Sequence, residues 1–152
     1  NNDDFEKEKA LIKQEFEEAK RVYPFIIDTN IFINDPDIIS KINKKHKIII
    51  AAKVLDELDG FKTNPQLKET ATKIIRSISS STSNNIHRAK ANLNLLPPDF
   101  NKRSPDNMIL ATALMYQDQK GYLVTEDKGL IEKAKTVEMK VLNYQEFANK
   151  FL

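Results

Sequence analysis

Four acidic residues stand where an α/β sheet would bring them into one cleft. They are Asp28 in FIIDTN, Glu57 in VLDELDG, Asp106 in SPDNMILATA and Asp127 in LVTEDKGL. Three or four convergent carboxylates are the donors that hold Mg²⁺ or Mn²⁺ against a phosphodiester. The sequence therefore indicates a site for one or two divalent ions with hydrolytic chemistry.

Two of the acids follow predicted strands. Asp28 comes directly after the apolar run Phe25–Ile27, and Asp127 lies two residues beyond a strand predicted at residues 122–125. Ligands of an open parallel sheet bind just beyond the carboxyl ends of its strands, so both acids have the expected position. Aspartate is also a good helix N-cap, and for Asp28 alone that structural role is an equally good interpretation.

The other two acids share the apolar face of a predicted helix. Glu57 shares the i, i+3, i+4 and i+7 spacing of one helix face with Val54, Leu58 and Phe61. Asp106 shares the same spacing with Ile109, Leu110 and Ala113. A carboxylate on a buried face needs a partner. Asp106 would also interact favourably with the helix dipole, but an exposed aspartate would serve that role equally well. We therefore predict that both acids face inward, while Asp56 and Asp59 are solvated or, for Asp59, contact a ligand from the rim.

Two polar residues are candidates for orienting these acids. Asn30 is placed to hydrogen-bond Asp28, and the hydroxyl of Thr125 is placed to hold Asp127. Such supporting contacts fix the ligands of metal sites.

Three basic residues are weak candidates for substrate contact. Lys62, Lys102 and Arg103 neighbour the helix segments that carry the acids, and phosphate contacts in nucleic-acid complexes come largely from such side chains. Basic segments are nevertheless more often a solvated face than a binding patch.

Composition limits the classes of protein that fit. The chain has 152 residues, 40% of them hydrophobic, and no cysteine, which indicates one domain and excludes disulfides and thiolate zinc sites. His46 and His87 are too few for a zinc site, and both are expected on the surface. The net charge of +2 says little about nucleic acid. No apolar run approaches the roughly 20 residues of a membrane span, and the polar N-terminal residues contain no signal-peptide h-region, which favours a cytoplasmic location.

Two segments are predicted: an amphipathic leader helix over residues 1–22, which would pack on the domain or on a partner, and a single domain over residues 23–152. The chain begins at Asn1 rather than methionine. That suggests an excised segment of a longer protein, although N-terminal processing would look the same.

Alternating strand and helix signals run through the domain. Strands are predicted at Lys47–Ala51 and Met139–Leu142 and near Leu93–Leu96, and a helix is predicted to open at Asn64-Pro65. The serine-rich residues 77–85 are a candidate loop. Repeated βα alternation predicts an α/β fold with a central parallel sheet of four to five strands.

The ordered motifs resemble those of the PIN-domain nucleases. IIDTNIFINDP, VLDELDGFK, SPDNMILATAL and LVTEDKGLIEKAK occur in that family's order. The first two are especially similar to PIN domains joined to PhoH-type ATPases. The resemblance spans residues 23–147, and residues 79–104 fit no pattern of the family.

The resemblance implies a three-layer α/β/α sandwich and a divalent-metal-dependent endonuclease that acts on single-stranded RNA. Asp28, Glu57, Asp106 and Asp127 would be its catalytic metal ligands. The partners it implies are RNA and either a fused or associated PhoH-type ATPase or a cognate antitoxin; a second copy of the chain is a further candidate.

Other functions are compatible with the same acids. A structure-specific DNA nuclease would use a related acidic fold, but such enzymes need more carboxylates and a helical arch that 152 residues can hardly hold. A non-catalytic scaffold or RNA-binding module would keep the fold without turnover. A phosphatase that forms an aspartyl-phosphate would need a second acid two residues after Asp28, where this chain has Asn30.

Overall fold

The computed structural model describes residues 1–152, which form one five-stranded sheet with helices on both of its faces. The strands are β1 Pro24–Ile27, β2 Lys47–Ala51, β3 Ile86–Ala89, β4 Tyr122–Val124 and β5 Val141–Leu142. The helices are α1 Asn2–Ala19, α2 Thr29–Asn34, α3 Ile38–Lys41, α4 Ala52–Gly60, α5 Lys68–Ser80, α6 Pro105–Leu114, α7 Lys128–Thr136 and α8 Tyr144–Phe151. All strand pairs are parallel, and the predicted α/β fold is confirmed.

The inner strands are continuous apolar runs because helices cover both faces of the sheet. Strands β1 and β4 are buried at every residue, and β2 is buried from its second residue onward. Ile26, Ile49 and Leu123 are fully buried side chains of these three strands. A parallel sheet that is covered on both sides needs this composition, since neither face meets water.

The strand order β3-β2-β1-β4-β5 places β1 at the centre of the sheet. The chain builds one half of the sheet outward from β1 through β2 and β3, and the other half through β4 and β5. A crevice opens at the carboxyl ends of the two strands where the direction of winding changes, here β1 and β4. The backbone N–H of Asp28 donates to the carbonyl of Val124 at 2.9 Å and closes this junction.

The prediction of a strand near Leu93–Leu96 was wrong. Residues 93–95 form a turn of 3₁₀-helix, and the strand is β3, several residues earlier. Strand β3 lies at the edge of the sheet, and His87 and Arg88 at its centre are exposed, so it lacks the apolar run of the inner strands. Its pairing with β2, where Ile48 lies opposite Ile86, defines it instead.

Helix α5 begins later and ends later than the sequence predicts. The side chain of Asn64 accepts from the backbone N–H of Gln66 at 2.9 Å, which makes residues 64–67 a turn, and the helix starts at Lys68. At the other end α5 continues through Ser80, because Ile74 and Ile78 are buried on its inner face. Packing of that face outweighs the weak helix propensity of the serines, and the loop is shorter than residues 77–85.

The sequence analysis missed α8. Its signal is the capping box of Asn143, whose side chain accepts from the backbone N–H of Glu146 at 2.8 Å while the Glu146 carboxylate accepts from the N–H of Asn143 at 3.0 Å. The helix packs Phe147, fully buried, against Phe25 of β1, with ring centroids 4.9 Å apart.

The expectation that both histidines lie on the surface was wrong for His46. His46 is buried among the aromatic rings near the amino end of β1, and its Nδ1 accepts from the backbone N–H of Tyr23 at 3.0 Å. Burial lowers the pKa of His46, and the charge of Lys45 lowers it further. His87 is exposed, as expected.

Helix α1 is exposed along its whole length. Tyr23 and Lys45 hold its last turn, through hydrogen bonds to the carboxylate of Glu18 and the carbonyl of Ala19. None of the eight helices combines the length and the apolar character that crossing a membrane requires.

We predict that Phe147→Ala lowers the free energy of unfolding by about 3–5 kcal/mol, because it removes a buried ring and leaves a cavity against β1. Chemical denaturation measures this change. Gln145→Ala, at an exposed position of the same helix, is the control and should change stability by less than about 0.5 kcal/mol. Equal effects of the two substitutions would mean that α8 does not pack on the sheet.

Candidate functional site

A cleft of about 280 Å³ opens beyond the carboxyl ends of β1 and β4. The structure brings all four predicted acids, Asp28, Glu57, Asp106 and Asp127, into its lining. The other residues of the lining are uncharged: Thr29, Asn30, Ile33, Asn34, Phe61 and Leu67. The cleft is therefore strongly anionic.

Asp28 is the most buried of the four acids, with 4% of its surface exposed. Its Oδ1 accepts from the backbone N–H of Thr29 at 2.7 Å, and its Oδ2 accepts from the Thr125 hydroxyl at 2.6 Å and from Asn30 Nδ2 at 3.2 Å. Burial raises the pKa of Asp28 to about 6. The hydrogen bonds from Thr125 and Thr29 oppose that rise, and the charges of Glu57 and Asp106 add to it.

Thr125 links two of the acids. Its hydroxyl accepts from the backbone N–H of Asp127 at 3.1 Å, a bond to the main chain and not to the carboxylate, and donates to Asp28, which the sequence did not indicate. Asn30 has a similar bridging position, since its Oδ1 accepts from the backbone N–H of Glu126 at 3.2 Å. These two residues tie the start of α2 to the loop that follows β4.

Thr29 is a site residue that the sequence analysis missed. Its hydroxyl donates to Oε1 of Glu57 at 2.9 Å and so connects α2 to α4. The available signal was its place between Asp28 and Asn30, directly after a buried strand.

The acids next to Glu57 lie outside the cleft. Asp56 is exposed and pairs with Lys53 at 3.3 Å. Asp59 is exposed and pairs with Lys62 at 3.2 Å. Exposed pairs of this kind contribute little to stability. The helical spacing of α4 thus separates one cleft-lining carboxylate from two solvated ones.

Asp106 and Asp127 are half-buried at the starts of two helices. Oδ1 of Asp127 accepts from the backbone N–H of Leu130 at 2.9 Å and caps α7. Burial raises the pKa of Asp106, the charge of Asp127 raises it further, and Lys133 lowers it. Asp106 lies in the first turn of α6, where Ser104 is the N-cap residue and Pro105 the first helical residue.

Several carboxylate oxygens of the cleft accept no hydrogen bond from the protein. They are both oxygens of Asp106, Oε2 of Glu57 and Oδ2 of Asp127, whereas both oxygens of Asp28 are occupied. Anionic acceptors without donors in a shared cleft repel one another and favour a cation. All available donors are oxygens, which suit a hard ion such as Mg²⁺ or Mn²⁺.

The carboxylates do not, as they stand, form a closed coordination shell. No group of three or more acidic or histidine side chains is close enough to share one ion. Mg²⁺ in proteins commonly keeps several waters and binds only one or two carboxylates directly. The donor set therefore fits an ion that is held partly through water.

The three basic residues predicted to contact substrate do not line the cleft. Lys62 pairs with Asp59, while Lys102 and Arg103 are exposed on the turn before α6 and have no acidic partner within 4.0 Å. Asn107, which is buried, fixes that turn by donating from Nδ2 to the carbonyl of Asn101 at 2.8 Å.

The sequence match decides the family. A PIN-domain family model matches residues 25–145, which include all four acids and every strand except the first residue of β1. The chain belongs to the PIN-domain family. Helix α1 lies outside the matched residues. No curated protein sequence matches the chain significantly.

Solved PIN-domain structures resemble this one. The PIN domain of T. brucei RRP44 superposes with a TM-score of 0.57 at 10% identity, over 85% of this chain and 80% of that one. At this identity the likeness concerns the fold alone. The PIN domain endonuclease Utp24 (TM-score 0.45, 17% identity, 80% and 84% of the two chains) and VapBC-1 from nontypeable Haemophilus influenzae (0.49, 13%, 82% and 98%) are more distant in shape.

We predict that Asp28→Asn stabilises this PIN domain in the absence of divalent ions, increasingly so as the pH rises. The usual pKa of 3.8 applies to the unfolded chain and about 6 to the folded one, so folding disfavours ionisation of Asp28. That cost is absent below pH 3.8, grows between the two values and is complete above about pH 6. The cost of ionising Asp28 in the folded protein reaches about 3 kcal/mol. The net stabilisation by Asp28→Asn is smaller by the free energy of any hydrogen bonds that the amide does not make.

Denaturation in EDTA at a series of pH values measures this difference in the free energy of unfolding. Asp56→Asn is the control, because Asp56 is exposed and its pairing with Lys53 is at the surface; it should stay within about 0.5 kcal/mol of the parent at every pH. A difference between Asp28→Asn and the parent that does not widen with pH would contradict the burial of an ionised Asp28.

Proposed function

We propose that this PIN domain is a divalent-metal-dependent endonuclease that hydrolyses phosphodiester bonds of single-stranded RNA. The observation that carries the proposal is the anionic cleft: four acids line it, and three of them leave carboxylate oxygens without a protein donor. The family match supports nuclease chemistry, and the resemblance of the motifs to RNA-cleaving PIN domains favours RNA.

The residues divide into rigid and adaptable ligands. Asp28 is fixed by three hydrogen bonds and Glu57 by one from Thr29, so these two would hold an ion at a defined place. The free oxygens of Asp106 and Asp127 would contact that ion through water, since no three of the acids are close enough to bind it directly. A divalent ion bound there would supply Lewis acidity toward water and the scissile phosphate.

The electrostatics of the cleft control access of the substrate. Four carboxylates repel a phosphodiester, and no lysine, arginine or histidine lines the cleft to offset that charge. Substrate binding close to Asp28 therefore requires a cation as well as the acids. Contacts to the flanking phosphates would come from Lys102 and Arg103, which are exposed near the start of α6.

The proposal extends to partners. The likeness of the DTNIFINDP and VLDELDGFK motifs to PIN domains joined to PhoH-type ATPases favours a fused or associated ATPase, and a cognate antitoxin is the second candidate. Either would regulate access to the cleft in the cytoplasm. Co-purification of the chain with tagged candidates from its own cell would discriminate the two.

The decisive experiment is cleavage of labelled single-stranded RNA and of DNA with the same sequence, each with Mn²⁺, Mg²⁺ or EDTA. We expect cleavage of RNA that EDTA abolishes. Asp28→Asn and Glu57→Gln should each lower the rate by at least about 100-fold, because each removes a negative ligand of the ion.

Asp56→Asn is the matched control for Glu57→Gln, since it neutralises the adjacent carboxylate of the same helix outside the cleft. It should keep full activity. Cleavage of DNA alone would replace RNA with DNA as the substrate. Binding of RNA without cleavage under any metal condition would contradict the proposed endonuclease activity. An RNA-binding or scaffold role would then remain.

We predict that the double substitution Lys102→Ala and Arg103→Ala weakens RNA binding without abolishing cleavage at saturating RNA. The logarithm of the binding constant falls as the logarithm of the salt concentration rises. Loss of two phosphate contacts should make this slope shallower by about 1.4. Filter binding of RNA to the Asp28→Asn protein, with and without the double substitution, measures the slope.

Lys44→Ala with Lys47→Ala is the control for this measurement. Both lysines are exposed, and Lys47 begins β2 at the end of the sheet opposite the cleft. An equal loss of slope in both pairs would show that RNA binding is not directed to the turn before α6.

A further inference from the structure

Helix α1 carries an apolar stripe that the rest of the chain does not cover. Phe5, Ile12 and Phe16 keep 62%, 60% and 61% of their surface exposed. A helix of 18 residues is marginal by itself in water, because most helical stability in proteins comes from packing of an apolar face. The stripe thus lacks the cover that would stabilise the helix.

The domain cannot supply that cover. Only the final turn of α1 approaches it, where Glu15, Glu18 and Ala19 line a cavity shared with Tyr23 and His46. The three apolar residues of the stripe take no part in this lining. The attachment therefore fixes the direction of the helix: Ala19 faces the domain, and Phe5, Ile12 and Phe16 are free for another molecule.

The stripe has the seven-residue repeat of a coiled coil. Phe5, Ile12 and Ala19 occupy successive d positions, and Asn2, Lys9 and Phe16 occupy the a positions between them. Two of the three a positions, Asn2 and Lys9, are polar, and polar a residues set register and the number of strands at a cost in stability. Leu11, 55% exposed, falls at a c position outside this seam.

The charges beside the seam identify the second helix as a copy of the first. The g positions are Glu8 and Glu15, and the e positions that follow them in a parallel pair are Lys13 and Lys20. A parallel homodimer thus opposes glutamate to lysine twice on each side. An antiparallel pair would oppose g to g, and hence glutamate to glutamate. The ammonium of Lys20 already flanks the seam, 4.1 Å from the centroid of the Phe16 ring.

We propose that two copies of this chain associate through α1 as a parallel two-stranded coiled coil, which holds two domains and their clefts in one assembly. The proposal does not depend on nuclease activity. The repeat covers fewer than three heptads, so association is weak and rises with protein concentration.

Sedimentation equilibrium of the whole 152-residue chain, up to about 1 mM protein, tests the seam. The parent should show a monomer–dimer equilibrium. Ile12→Asp should weaken it by at least about tenfold, since it places a charge at the centre of the seam. Leu11→Asp is the matched control, with the same new residue one position away on an equally exposed site, and should leave the equilibrium unchanged.

A charge exchange tests the parallel arrangement. Glu8→Lys and Lys13→Glu should each weaken the homodimer roughly tenfold, because each opposes like charges on both sides of the seam. The double substitution Glu8→Lys with Lys13→Glu should restore it. An equimolar mixture of the two single variants should form a heterodimer, since their e and g charges are complementary.

Circular dichroism of every variant checks that α1 stays helical. A parent that is monomeric at all concentrations would overturn the proposal, and so would equal weakening by Leu11→Asp and Ile12→Asp. A dimer whose dissociation constant is the same in the parent and in the charge-exchange variants would overturn the parallel coiled coil.

Discussion

The burial of the Asp28 carboxylate at the end of the central strand is the constraint on which the rest of the site depends. An ionised aspartate that is almost fully covered needs several donors, and it takes them from two places: Thr29 and Asn30 at the start of α2, and Thr125 in the loop after β4. The hydrogen bond from Thr125 joins the two halves of the sheet. The fold and the site are therefore held by the same contacts.

This constraint also explains why the other acids can remain less fully satisfied. Thr29 and Thr125 each contact two acidic residues, so the position of Asp28 sets where Glu57 and Asp127 lie. Asp106 receives no donor from the protein, and its raised pKa reflects burial beside Asp127. Charge that the protein leaves unbalanced in this way is available for binding a ligand.

The sequence predicts the inner part of the fold well, because there burial and pattern agree. The apolar runs of β1, β2 and β4 and the helical spacing around Glu57 and Asp106 are local signals with a single interpretation. Strand β3 was misplaced because an edge strand with His87 and Arg88 exposed has no apolar run. His46 was misplaced because its burial comes from aromatic rings distant in sequence, and the Thr125 contact with Asp28 spans 97 residues.

The edges of the sheet have a consequence for the behaviour of the chain in solution. Strand β3 has a neighbour on one side only, and β5, at the other edge, is two residues long. Exposed edges invite pairing with strands of other molecules, and short length and positive charge are the common means of preventing it. Arg88 and the following Lys90 supply such charge at the β3 edge. The basic residues there thus protect the folded chain from aggregation through its sheet, whatever their distance from the cleft.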